Sequence, residues 1–345
     1  MQVALFLQGG GALGAYQAGV YAALAKASID VDWVSGISIG AFNAAIIAGN
    51  KPEDRVEKLR GFWQRIATDH PTPALTTLLG VDGFFSPAGT GFPHSIYDIT
   101  PMKKTLKDFV DFDYLNDRSP TRLSIAAADA QDPKLVVYFD SRKGADAVPP
   151  DHAIDKDSLL QITEKHRITP EHILASGALS PAFPTVKING HHYVDAGLTP
   201  GANSPVAWAA KTGQLDRNTM AICADLWRAP TEGQIKHSQH YSEQEQEKDR
   251  QFASPPLAQS DVGALISLVL KRREDQDYTK DYDFSTKAIS ANWNAGFADM
   301  MGALETHLDT KALVNIIQKQ PVEGRSYLSK ALQRTSSGAE DGRTL

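Results

Sequence analysis

Two strand–glycine turn–helix units occupy the first fifty residues, and no other feature of the chain narrows its fold as much. Gln2 to Gln8 is an apolar run of the buried-strand kind. Gly9-Gly10-Gly11-Ala12-Leu13-Gly14 follows it, and Ala15 to Leu24 carries apolar residues at helical spacing. Trp33-Val34 opens a second short strand, which breaks at Gly36-Ile37-Ser38-Ile39-Gly40 and continues as a small-residue helix ending near Gly49-Asn50. A strand that feeds a helix through a tight turn, twice in succession, reads as two neighbouring parallel strands of an α/β protein.

Parallel strands that end side by side bring their two turns together, at the end of the sheet where ligands bind. In the second turn Ser38 stands between Gly36 and Gly40, a G-x-S-x-G. A serine at a sharp strand-to-helix turn is held in a strained conformation with its Oγ clear of the chain. Side chains two residues to either side would strike the crossing backbone, so glycine belongs at both positions. The helix beyond aims N–H groups, that of Ile39 among them, and the positive end of its dipole at any anion formed beside Ser38. In the first turn the N–H groups of Gly9, Gly10 and Gly11 precede a helix start, which is an anion-binding arrangement. Joined, the two turns make a nucleophile beside an oxyanion hole. The first turn also fits G-x-G-x-x-G at Gly9, Gly11 and Gly14, so a dinucleotide site is a competing reading. The acidic residue that motif wants at the end of the next strand is missing, because Asp30 and Asp32 precede Trp33-Val34. Turns that serve only close helix–strand packing remain a third reading.

Composition limits the remaining classes. The chain has 345 residues, 42% apolar and 22% charged, which suits one large soluble domain or one with an appendage. A net charge of −6 leaves no basic footprint for nucleic acid. With Cys223 alone, no intrachain disulfide forms and a cysteine-built metal site is not expected. No basic leader precedes the first strand and no apolar run approaches the ~18 residues of a membrane span. A cytoplasmic protein without a metal is expected.

Further along, Pro52 to Ile66 reads as a helix, and residues 67–101 as an irregular apolar loop rich in proline and glycine, suited to a lid or an acyl-chain wall. Met102 to Val110 is a helix, Leu123 to Ala128 and Leu135 to Phe139 are core strands, and Thr169 caps a helix that stops at Gly177. Asn189-Gly190 turns a hairpin whose second strand delivers Asp195, followed by the small residues Ala196 and Gly197. Pro205 to Ala210 is a helix and Met220 to Leu226 the last core strand.

At this point the residues resemble a family. Gly9-Gly10-Gly11-Ala12-Leu13-Gly14, Gly36-Ile37-Ser38-Ile39-Gly40 and Asp195-Ala196-Gly197 occur in the order and at about the spacing of the patatin-like phospholipases, and Ala175 to Pro184 is similar to that family's approach to its aspartate. The resemblance covers residues 1 to about 215. It implies a three-layer α/β/α core with a mainly parallel sheet, acting on acyl esters of lipids with no cofactor. Carried over, Ser38 is the nucleophile, Asp195 the proton acceptor, and Gly9, Gly10 and Gly11 the oxyanion loop. The chain departs from the pattern at Leu13, where many members carry a basic residue.

These readings divide the chain into an acyl hydrolase domain, residues 1–228, a mainly helical extension, 229–335, and a disordered tail, 336–345. Within the extension, 232–251 is an exposed polar loop or helix. Asp261 to Arg273 is an amphipathic helix that packs on the core or touches an anionic membrane surface, placing the protein at the membrane periphery. Helices follow at 289–308, 313–317 and 327–332. A Ser-His-Asp triad drawing on His172, His191, His192 or His307, and a lipid-binding protein with a crippled site, are the alternatives. Oligomeric state is open.

Overall fold

The computed structural model of the chain describes residues 1–70, 72–88, 95–142, 160–229, 241–255, 257, 262–271, 273 and 276–306. The short helices expected at 313–317 and 327–332, and the tail from 336, lie outside the described residues. In chain order the strands are β1 (Gln2–Leu7), β2 (Trp33–Ile37), β3 (Ser86–Pro87), β4 (Tyr97–Asp98), β5 (Arg122–Asp129), β6 (Leu135–Asp140), β7 (Leu160–Lys165), β8 (Val186–Ile188), β9 (His191–Asp195), β10 (Thr219–Asp225) and β11 (Ala264–Val269). The α-helices are α1 (Ala15–Lys26), α2 (Ile39–Ala48), α3 (Arg55–Arg65), α4 (Pro73–Leu79), α5 (Thr100–Phe109), α6 (Phe112–Asp117), α7 (Pro170–Ser176), α8 (Pro205–Lys211), α9 (Glu243–Phe252) and α10 (Thr286–Thr306).

The main sheet runs β11-β10-β1-β2-β5-β6-β7, with β9 and then β8 joined to β5; β3 and β4 pair apart from it. Its first five strands are mutually parallel; β6 and β9 run antiparallel to β5. Alternation along β1 divides the core in two. Val3, Leu5 and Leu7 face a large apolar cluster with Tyr16, Phe42 and Phe62 from the helices, while Ala4 and Phe6 face a smaller one around Trp33 and Trp208. Helices therefore cover both faces, the three-layer α/β/α arrangement. On the larger side α1 and α10 cross at near backbone contact. A Cβ at Gly19 would lie 2.0 Å from the Trp293 carbonyl oxygen, and one at Gly296 would lie 1.9 Å from that of Tyr16.

Three expectations are corrected. Ala264–Val269, within the stretch read as an amphipathic helix, is a strand lying parallel on β10, so β10 is not the last strand. A short apolar run suits either state by pattern alone, and the open edge of β10 supplies the hydrogen bonds that decide it. The helix on which a membrane contact was expected is therefore absent there. Residues 243–252 form a helix, but not an exposed one: Glu245, Gln246 and Asp249 are buried. Within the expected loop 67–101 stand α4 and the β3–β4 pair, anchored by Phe84, Phe85 and Tyr97, with Phe183 5.3 Å from Phe85.

Candidate active site

The turn after β2 has the geometry its glycines allow. Ser38 sits at φ 53°, ψ −127°, a region L-residues rarely enter and that costs about 1–3 kcal/mol. A Cβ at Gly36 would lie 2.3 Å from the Gly40 carbonyl oxygen, and one at Gly40 would lie 2.3 Å from that of Leu7. The Ser38 amide donates to Ser176 Oγ at 3.0 Å, which ties the turn to the end of α7.

Asp195 reaches Ser38 through strand pairing. β2 leaves β5 at the pair Ile37–Ala126, and the next residue along β5, Ala127, is paired with Asp195. The other edge of β5 is filled there by β6. β9 thus enters end-on against β2, and its last residue takes the place that Ser38 vacates by turning into α2. The Asp195 carboxylate accepts the Gly197 amide at 2.8 Å, and the Ser38 hydroxyl is near enough to pull its pKa down. Burial drives its pKa from 3.8 up to about 6, against the pull of those two groups.

The glycine loop lies beside this pair, but its first amide is not available. Gly9 N–H donates to Asn203 Oδ1 at 2.8 Å, and the Gly9 carbonyl accepts Asn203 Nδ2 at 3.2 Å and Trp227 Nε1 at 2.7 Å. Gly9 is therefore removed from the expected set of oxyanion donors; a buried amide with a good acceptor has nothing left to give. The amides of Gly10, Gly11 and Ile39 have no protein acceptor among the described residues, and all three residues line the cavity that contains Ser38 and Asp195. Gly14 and Gly197 serve packing and hydrogen bonding: a Cβ at Gly14 would lie 2.7 Å from Ile39, and Ala196 is buried in the smaller core cluster.

The cavity holds about 470 Å³, and Phe42, Phe84, Phe85, Met102, Phe183 and Phe284 give it mostly apolar walls. Leu13 is wholly buried in the core and is not part of this lining. Residues beyond 228 complete the cavity. Lys248 and Phe252 of α9 and the turn from Tyr278 to Tyr282 line it, and a Cβ at Gly11, whose φ is +54°, would lie 2.2 Å from the Asp281 carbonyl oxygen. Behind the loop, Gln8 accepts the Leu226 and Trp227 amides at 2.7 and 3.1 Å and donates to Ser254 Oγ at 3.1 Å, joining β1 to the chain after α9.

No described histidine lines the cavity. His172 is buried against His166, its pKa lowered to about 4 by desolvation; His191 lies 3.5 Å from Asp129, and His192 pairs with Thr185. His307 lies outside the described residues. The residues that sequence reasoning passed over are Ser176, Asn203, Trp227 and Lys248. Each acts through a partner distant in the chain, and only Ser176, inside the stretch quoted before Asp195, carried any prior signal.

Among the described residues no helix is long and apolar enough to cross a membrane. Comparison with known proteins supplies a family. Residues 5–209 match the family model described as patatin-like phospholipase, and residues 237–313 match one described as patatin phospholipase. Similar relatives include patatin-like phospholipase domain-containing protein 7 of Rattus norvegicus, 37% identical over 97 residues, or 28% of this chain. Protein 6 of the same series from Homo sapiens is 35% identical over 102 residues, or 30% of this chain. In both cases the match spans only 7% of the relative's length. Among solved structures, VipD from Legionella pneumophila aligns with 99% of this chain and 77% of its own at 14% identity and a TM-score of 0.40. The full-length SpcU–ExoU complex of Pseudomonas aeruginosa aligns with 98% and 62% at 14% identity and 0.33. With a family model spanning 5–209 of its 345 residues, the chain belongs to the patatin-like phospholipase family.

Proposed function

We propose that the protein is a lipid acyl hydrolase working through a Ser38–Asp195 dyad. The observation that carries this reading is a serine at a strained turn, set beside a buried aspartate whose pKa is raised to about 6, at the head of an apolar cavity. Such an aspartate is ionised at neutral pH yet basic enough to take a proton in the transition state. Ser38 Oγ attacks the ester carbonyl carbon while Asp195 accepts its proton. The tetrahedral oxyanion is held by amides of Gly10, Gly11 and Ile39. Its collapse breaks the bond to the alcohol oxygen, which leaves with the proton from Asp195, and the acyl group stays on Ser38. Water then gives a proton to Asp195 and attacks the acyl carbon; Ser38 leaves with that proton, and the fatty acid is released. The apolar walls favour acyl chains over small polar esters.

The test is a paired substitution on an acyl ester. Ser38→Ala and Asp195→Ala should each remove nearly all turnover, with little further loss when combined. A fluorophosphonate probe should label the parent and not Ser38→Ala. An Asp195→Ala protein retaining most of the rate would end the dyad, and a parent that the probe does not label would leave a lipid-binding protein.

A further inference from the structure

Six large apolar side chains are exposed among the described residues: Leu78, Leu79, Ile96, Leu198, Tyr278 and Tyr282. Exposed apolar residues are ordinary when scattered; these are collected. Ile96, Leu198, Tyr278 and Tyr282 all line the cavity that holds Ser38, and being exposed they stand at its mouth. Leu78 and Leu79, 67% and 55% exposed, end α4 directly after Thr76 and Thr77, which line the same cavity. Distant parts of the chain, 76–79, 96, 198 and 278–282, therefore build one apolar rim. Its charge pattern matches. Residues 71–97 contain one acidic residue, Asp82, and no lysine, arginine or glutamate, in a chain that is 22% charged.

We propose that this rim is a docking surface for a lipid bilayer, which covers the apolar side chains and opens the cavity onto the membrane. The identification of what passes through the mouth rests on the acyl hydrolase reading; the docking itself does not. A folded partner or a second copy of the chain seated here would stop the mouth of the cavity. A lipid surface covers the rim and still supplies the cavity, because an acyl chain moves from bilayer to apolar wall without crossing water. The described residues 72–88 and 95–97, with Asp82 their one formal charge, suit the ester and acyl level of a bilayer, which repels buried charge, and the two tyrosines are amphipathic side chains of the kind that collect at that level. Attachment through apolar area rather than through phosphate contacts makes binding nearly independent of salt.

The experiment is sedimentation with phosphatidylcholine vesicles, using the Ser38→Ala chain so that the bilayer is not consumed. The protein should pellet with vesicles and do so equally at low and high salt. Leu78→Ser/Leu79→Ser, which alters no cavity-lining residue, should weaken partitioning by about tenfold or more. Leu79→Trp should bind at least as well as the parent and guards against a folding artefact. With Ser38 intact, the double serine variant should lose hydrolysis of vesicle lipid and keep its rate on a water-soluble short-chain ester within about twofold. Unchanged partitioning of the double variant, or a parent chain that stays in the supernatant, overturns the proposal. So does a dimer in solution that the same substitutions dissociate, which would make the rim an interface between copies. Partitioning without hydrolysis of either substrate upholds the docking surface and overturns the hydrolase reading instead.

Discussion

Lys248 and Asp281 meet at 2.6 Å beside the glycine loop, and their chain neighbours Asp249 and Lys280 meet at 2.6 Å in the opposite sense. All four side chains are at most 13% exposed. The ammonium of Lys248 lies 4.4 Å from the Tyr278 ring centre and that of Lys280 lies 5.0 Å from Trp227. The crossed pairs fasten α9 to the turn whose backbone rests on Gly11. Removing one partner of a buried pair strands the other charge, at a cost of about 3–5 kcal/mol. Lys248→Met should therefore lower Tm sharply, and Lys248→Met/Asp281→Asn should recover half or more of the loss. A thermal double-mutant cycle measures the coupling.

Asp195 should cost the fold stability at neutral pH. Its folded pKa, about 6, exceeds the ordinary 3.8, so between those values the folded state holds a proton that the unfolded state has lost. Stability accordingly falls as pH rises through that window and stays low above it. Asp195→Asn keeps an acceptor for the Gly197 amide and carries no charge. It should be inactive yet more stable than the parent by ~1–3 kcal/mol at pH 8. The difference should shrink below pH 6 and vanish below pH 4 in denaturant titrations.

The same carboxylate should set the acid limb of the rate profile. In the proposed dyad only ionised Asp195 can accept the Ser38 proton, so kcat/KM on a soluble ester should rise tenfold per pH unit at low pH and level off above about pH 6. No described histidine lines the cavity; Asp281, the other carboxylate there, is also raised by burial, so Asp281→Asn should leave the limb in place. A limb that bends near pH 4 instead would show that burial does not govern the base.

Asn203 should matter through the loop it holds. Both ends of its amide bond Gly9, at 2.8 and 3.2 Å. Asn203→Leu leaves the Gly9 N–H buried without an acceptor, a loss of ~1–3 kcal/mol in stability. With the loop loosened, kcat should fall while KM changes little, because the substrate's apolar contacts lie elsewhere in the cavity. A fall in kcat/KM carried wholly by KM would count against this positioning role.

How far the chain could be read follows the range of the interactions involved. The turn at Ser38 was legible because Gly36 and Gly40 lie beside it in the sequence and φ/ψ preferences act over a few residues. The Asn189-Gly190 hairpin, and with it the delivery of Asp195, was legible for the same reason. Ala264–Val269 was misread because an apolar hexamer with Leu265, Ile266, Leu268 and Val269 suits a helix face as well as a strand, and only the open edge of β10 selects between them. The polar run containing Glu245 and Asp249 looked like a solvated face, since nothing local announces that Lys280, 31 residues beyond Asp249, will be buried against it.

The amino-acid order by itself therefore determined the two glycine turns, the strained serine and the small-residue helix behind it, because steric limits on a short backbone segment need no partner. Tertiary structure alone decided which amides stay free, how basic Asp195 becomes and which side chains wall the cavity. Those properties depend on desolvation and on hydrogen-bond acceptors as far away as Asn203 from Gly9, 194 residues along the chain, which exist only once the sheet has assembled.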